Sequence, residues 1–228
     1  MESKDLPSEA NPLENITKPA IRGRHLLIFV GLCPAVLVLA VYLMREHAVQ
    51  TGLLGALTVS FVIGLMGVAA AVAPLGTAAL PALGFRAVGW RPIVFGSIGT
   101  LVISVVMSQL GPEPQGVKEA MKVSRDHGQF LASLAVMAAL APLVEELVFR
   151  GLLYGWLESR WDSGLAWVVS SLVFAAAHWE PAHIVLVLPL GLLFGWLRRR
   201  TNSLVPSFCA HVANNVFAVV AAAYLPDM

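Results

Sequence analysis

Seven stretches of this chain carry almost no charge: 26–44, 52–73, 92–110, 130–157, 164–178, 184–197 and 204–225. Crossing the ~30 Å hydrocarbon core of a bilayer takes about 20 apolar residues of helix, and most of the seven approach or exceed that length. Backbone groups in lipid must be satisfied within the structure itself, which at these lengths means helices. The pattern predicts an all-α, polytopic membrane helix bundle of about seven transmembrane helices, six to eight. The fifth and sixth stretches are short. They either continue through 179–183 or form half-spanning pieces packed against protein.

The polar segments divide the chain. Residues 1–23 contain three prolines and both signs of charge, and lack the apolar run of a cleavable signal peptide, so they read as a flexible tail. The stretch 26–44 is then a retained first span, and 24–228 a single transmembrane domain. Residues 111–128, rich in Gly, Pro and charge, are the long linker candidate. Arg22 and Arg24, Arg86 and Arg91, and Arg198 to Arg200 fall at one end of a seven-span model, which the enrichment of Lys and Arg in short cytoplasmic loops makes the cytoplasmic end. Lys118, Lys122 and Arg125 in the linker run against that trend.

Composition agrees with the pattern. Hydrophobic residues make up 57% and charged residues 13%, with a mean hydropathy of +0.76, where soluble domains sit near half and a quarter. The net charge of +1, with no stripe of Lys and Arg among aromatics, excludes a nucleic-acid partner from the expectations. Cys33 and Cys209 lie in apolar runs and read as packing residues rather than a disulfide or a metal site. Leu32, directly before Cys33, also argues against a lipoprotein cleavage site.

Against this background the middle of 130–157 carries Glu145, Glu146 and Arg150. Each such group at the centre of a spanning helix costs roughly 2.5–3.5 kcal/mol on insertion scales, so a functional site is the leading hypothesis. Residues four apart share a helix face, which pairs Glu146 with Arg150 in the favoured orientation and leaves Glu145 about 100° round the axis in need of a partner. Pro142, one turn earlier, removes a backbone donor and opens room beside Glu145. His178 supplies one candidate partner, His211 with Asn215 another. Counted at ~1.5 Å per residue from the basic end, Glu145 and His178 lie at about 20 Å and His211 at about 10 Å, so one cavity can reach all three. A carboxylate, two imidazoles and a carboxamide are the parts for hydrolysis: a base, an orienting group and oxyanion donors. No G-x-S-x-G, H-E-x-x-H or Gly-rich phosphate loop is present.

These residues resemble the motifs of the CPBP intramembrane proteases, which include type II CAAX prenyl endopeptidases and bacteriocin-processing or immunity proteins. Glu145, Glu146 and Arg150 fit E-E-x-x-x-R, Phe174 and His178 fit F-x-x-x-H, and His211 and Asn215 fit H-x-x-x-N, in that order. The resemblance covers about 130–220 and implies a catalytic core there. It also implies a glutamate-dependent, metal-independent endopeptidase without a cofactor. Glu145 and His178 would activate water, His211 and Asn215 would form the oxyanion hole, and Glu146 with Arg150 would support the first glutamate. The substrate would be a membrane-anchored or lipidated protein or peptide.

Two other classes use the same residues. A zinc peptidase would take Glu145, His178 and His211 as ligands. A non-catalytic immunity or transport protein would use the polar cavity for recognition or proton relay. Phe174 reads as cavity wall. His25, His47, His127 and His183 sit near segment ends and receive no role, while Arg198 to Arg200 read as an anchor on anionic lipid. Trp90, Trp161, Trp179 and Trp196 suit the interfacial belt. Compact size and a short tail favour a prokaryotic plasma membrane.

Overall fold

The computed structural model describes residues 20–44, 48–111, 114–126 and 128–224, and all regular structure among them is helical. The helices are α1 (Gly23–Met44), α2 (Gly52–Leu83), α3 (Trp90–Leu110), α4 (Gln115–Ser124), α5 (Phe130–Arg160), α6 (Ser163–Ala176), α7 (Pro181–Thr201) and α8 (Val205–Tyr224). Six of them, all but α4 and α6, are long and apolar enough to span a bilayer. The chain is a multi-pass integral membrane protein. All seven expected segments are helical: the fifth is the short α6, of 14 residues, and the sixth lengthens into the 21-residue α7. The tail expected at 1–23 lies mostly outside the described residues, as do His47 and His127.

The linker expected at 111–128 instead contains α4. Val117, Ala120 and Met121 recur at helical spacing while Lys118, Glu119 and Lys122 fall on another face, the pattern of an amphipathic helix. Lys122 Nζ pairs with Glu119 at 2.7 Å on the exposed side, and α4 packs on α8.

Successive spans alternate in direction, so the loops sort to two ends. At the basic end the Leu204 amide donates to the Gly84 carbonyl (2.8 Å), the Ser203 hydroxyl donates to the Arg86 carbonyl (2.7 Å), and Gly155 packs on Ile21. At the other end Arg125 Nε donates to the Ala222 carbonyl (3.2 Å) and Phe130 meets Tyr224 edge-on at 5.6 Å.

One expectation at the basic end is corrected. Arg199 and Arg200 are exposed, but Arg198 is buried. Its Nε donates to the Arg150 carbonyl (3.2 Å), its Nη1 to Asn202 Oδ1 (3.1 Å), and its guanidinium lies 4.9 Å from the Tyr154 ring. Gly84 makes the room, because a Cβ there would sit 2.9 Å from the guanidinium. Its positive φ of 96° also suits glycine. His25, at the segment end where the sequence put it, is buried, with Nδ1 accepting the Arg22 amide at 2.9 Å.

Helix contacts in lipid depend on close packing rather than on hydrophobic driving force, and small residues allow it. Gly191 and Gly195, one turn apart on α7, bring α6 so close that a Cβ on either would lie 2.8 Å from the Phe174 ring or 2.7 Å from Ser171 Oγ. Trp167 Nε1 donates across this seam to the Leu192 carbonyl (2.8 Å).

Candidate active site

The site is built on an irregular stretch of α5. Residues 134–140 and 147–153 are wound as wider, i→i+5 turns, with regular α-helix confined to Ala141–Glu146. Such turns in helices are frequent at functional sites. Pro142 explains part of the irregularity. The Ala141 amide bonds back five residues to the Val136 carbonyl, so the Met137 carbonyl would next be served by residue 142, which has no N–H. Asn215 Nδ2 supplies the missing donor from α8, at 2.8 Å. Because the acceptor is a carbonyl, this contact fixes the carboxamide's orientation. Asn214 Nδ2 in turn donates to Asn215 Oδ1 (3.2 Å).

Glu145 and Glu146 follow on the regular stretch. Glu146 and Arg150 are fully buried and pair at 3.1 Å between Oε1 and Nη1, as the four-residue spacing predicts. Arg150 Nη2 donates to the Gly191 carbonyl on α7 (2.9 Å), which also accepts from Ser171 Oγ on α6 (2.9 Å). The guanidinium lies 4.2 Å from the Phe174 ring centre and 5.5 Å from that of Phe194, within the range of cation–π attraction. Arg150 thereby ties α5, α6 and α7 together beneath the glutamates.

His211 on α8 joins both carboxylates: Nδ1 lies 3.1 Å from Glu146 Oε1 and Nε2 lies 3.6 Å from Glu145 Oε2. Its ring stacks on Phe194, 4.7 Å between centres at 20°, and meets Phe174 edge-on at 5.9 Å. Glu145 remains 22% exposed while Glu146 is sealed, so the two adjacent carboxylates occupy different environments. His178, in the turn after α6, places Nδ1 2.9 Å from the Phe174 carbonyl. A carbonyl can only accept, so Nδ1 carries the proton, and in the neutral imidazole Nε2 is then the atom with the lone pair. His178 reaches the cluster through Phe174, whose ring lies 5.0 Å away, and no hydrogen bond or ion pair joins it to Glu145 among the described residues.

Glu145, Glu146, Arg150, Phe174 and His211 therefore form one contact network, with Asn215 bracing the helix that carries the glutamates. Phe174 is buried at its centre, meeting Phe149 at 5.2 Å and Phe194 at 6.5 Å, both edge-on. His183, given no role from the sequence, has its ring 4.5 Å from that of His178. It lies five residues beyond His178, across the short turn between two apolar segments. Among the described residues, no group of three or more His, Cys, Asp or Glu side chains is placed to hold a metal ion.

Fold and site together define a polytopic membrane helix bundle with a buried Glu–Glu–Arg–His centre. Residues 127–217 match the profile of the type II CAAX prenyl endopeptidase Rce1-like family, and this segment, less than half of the chain, contains every site residue named above. This segment is thus similar to the type II CAAX prenyl endopeptidases over the residues that carry the site. A protein of Bacillus subtilis (strain 168) named "Putative membrane peptidase YdiL" is 29% identical over 87 residues, which are 38% of this chain and 36% of that relative. The chain thus covers little more than a third of the relative's length. No solved structure matches it.

Proposed function

We propose that the protein is an intramembrane endopeptidase of the glutamic type. The observation that carries this reading is the single imidazole of His211 set between a sealed and a partly open carboxylate, deep in a helix bundle where neither is needed for solubility. Glu145, the open one, takes a proton from a water molecule as that water attacks the scissile carbonyl, and returns it to the leaving amine. His178 Nε2, unprotonated, accepts a hydrogen bond from the same water and directs it. On this reading His211, through an Nε2 proton released from the 3.6 Å contact with Glu145, and the second amide hydrogen of Asn215 Nδ2 stabilise the developing oxyanion, while Glu146 and Arg150 hold the geometry. The family match and the peptidase name of the bacterial relative support the class of reaction. The substrate on this reading is a membrane-anchored protein or peptide, prenylated or carrying a C-terminal sorting signal, reached from within a prokaryotic plasma membrane.

The test is cleavage of membrane-tethered and prenylated peptides by detergent-purified protein, comparing wild type with Glu145→Gln, with and without a zinc chelator. Cleavage that survives the chelator and disappears in Glu145→Gln is expected. Loss with chelator and recovery with zinc would move the assignment to a metallopeptidase. Cleavage indifferent to Glu145 would overturn the mechanism.

A further inference from the structure

We propose that His183 is a positioning residue for His178: its ring and that of Phe174 clamp the His178 imidazole and hold the Nε2 lone pair in one direction. This rests on the peptidase reading, in which His178 directs the attacking water. His178 meets Phe174 at 5.0 Å and 73°, and His183 at 4.5 Å and 71°, an edge contact in each case. Its Nδ1 is already committed to the Phe174 carbonyl at 2.9 Å. The hydrogen bond fixes one edge of the ring, and rotation about the Cβ–Cγ bond is what two crossed rings resist.

The turn between α6 and α7 is shaped to make this contact. Trp179 has φ 60°, a left-handed conformation that bulky residues rarely adopt, and the residue is 88% exposed, so packing of the indole is not what holds the backbone there. The Glu180 amide donates back to the His178 carbonyl at 2.6 Å, which closes the turn tightly. Glu180 Oε1 accepts the Gln115 amide at the start of α4, also at 2.6 Å, which pins the turn from outside. Pro181 then opens α7, and His183 occupies its first turn, facing back onto His178. Nothing in the established motifs assigns His183 a part.

Two readouts test the proposal. In cleavage assays, displacement of a water-directing group by about 1 Å can cost on the order of 10²-fold, so a ring freed to wobble in His183→Ala should lower kcat by roughly tenfold. KM and thermal stability should stay near wild type. His183→Phe keeps a flat ring without nitrogens and should restore most of the rate. Equal kcat in His183→Ala and wild type, or His183→Phe as slow as His183→Ala, would overturn the clamp. The second readout needs no substrate: two-bond proton–nitrogen spectra of histidine-labelled protein, with His178→Gln to assign the signal. Wild type should show His178 as the Nδ1–H tautomer, and His183→Ala an exchange-averaged signal. An unchanged His178 signal in His183→Ala would overturn the clamp even if no peptide is cleaved, while averaging would support it whatever the reaction.

Discussion

Replacing Arg150 by Met tests how the polar centre is held. The substitution preserves much of the side chain's volume but strips Glu146 of the guanidinium at 3.1 Å and the Gly191 carbonyl of its donor at 2.9 Å. It also removes a cation from the faces of Phe174 and Phe194. Breaking a buried pair by deleting one partner costs about 3–5 kcal/mol, because the remaining charge is left without compensation. Two features lower the loss here. Ser171 still donates to Gly191, and His211 Nδ1 still faces Glu146 at 3.1 Å. The lower part of that range, about 3 kcal/mol, is therefore expected. The double variant Glu146→Gln with Arg150→Met removes both charges and should recover more than half of the loss. The assay is reversible unfolding in mixed micelles of mild detergent and dodecyl sulfate, run on wild type, both single variants and the double. A loss below about 1 kcal/mol in Arg150→Met, the range of an exposed pair, would refute the reasoning. So would a double variant as unstable as the sum of the singles, since residues in contact should couple.

Asn215→Ala should cost about 1–3 kcal/mol in the same assay, the penalty for leaving the Met137 carbonyl without a donor. Adding Pro142→Ala returns an N–H to the turn and should offset part of that loss; if it adds to it, the bracing role of Asn215 is wrong. Asp162 caps α6 by accepting the amides of Gly164 (2.6 Å) and Leu165 (3.1 Å), and these bonds hold its carboxyl below the ordinary range. A lowered folded value means the cap is intact above the unfolded pKa of about 3.9 and is lost as pH falls through the lower folded value. The Gly164 amide proton shift should follow that titration, with a midpoint below about 3.9; a midpoint at or above it would remove the cap from the account.

What was legible in the sequence was local. The pairing of Glu146 with Arg150 follows from a four-residue spacing that any α-helix honours, and the apolar segments follow from the thickness of a bilayer. The motif order also brought Phe174 and His211 into the right neighbourhood. What was not legible depends on contacts between helices. Counting residues along the helices allowed His211 to reach Glu145, but its second contact, to Glu146, depends on where α8 crosses α5. Asn215 read as an oxyanion donor, yet one of its amide hydrogens is committed to Met137, and that need arises only once Pro142 and the wider turn before it are seen together. Arg198 looked like its neighbours Arg199 and Arg200, and only the space left by Gly84 on another helix separates them. The helix α4 was hidden by the glycine, proline and charge around it, which outweighed a short amphipathic period.

The length of α6 has a bearing on where the water comes from. Its 14 residues rise only about 21 Å, against a hydrocarbon core of ~30 Å. The turn that follows carries His178 and Glu180, and His183 faces it from the first turn of α7, groups that an intact lipid core does not tolerate. A bilayer meeting so short and polar an element thins beside it rather than enclosing it. Hydrophobic mismatch at this one hairpin should therefore bring the aqueous phase closer to the end of α6 that carries His178, and cleavage measured in bilayers of different thickness would read that effect.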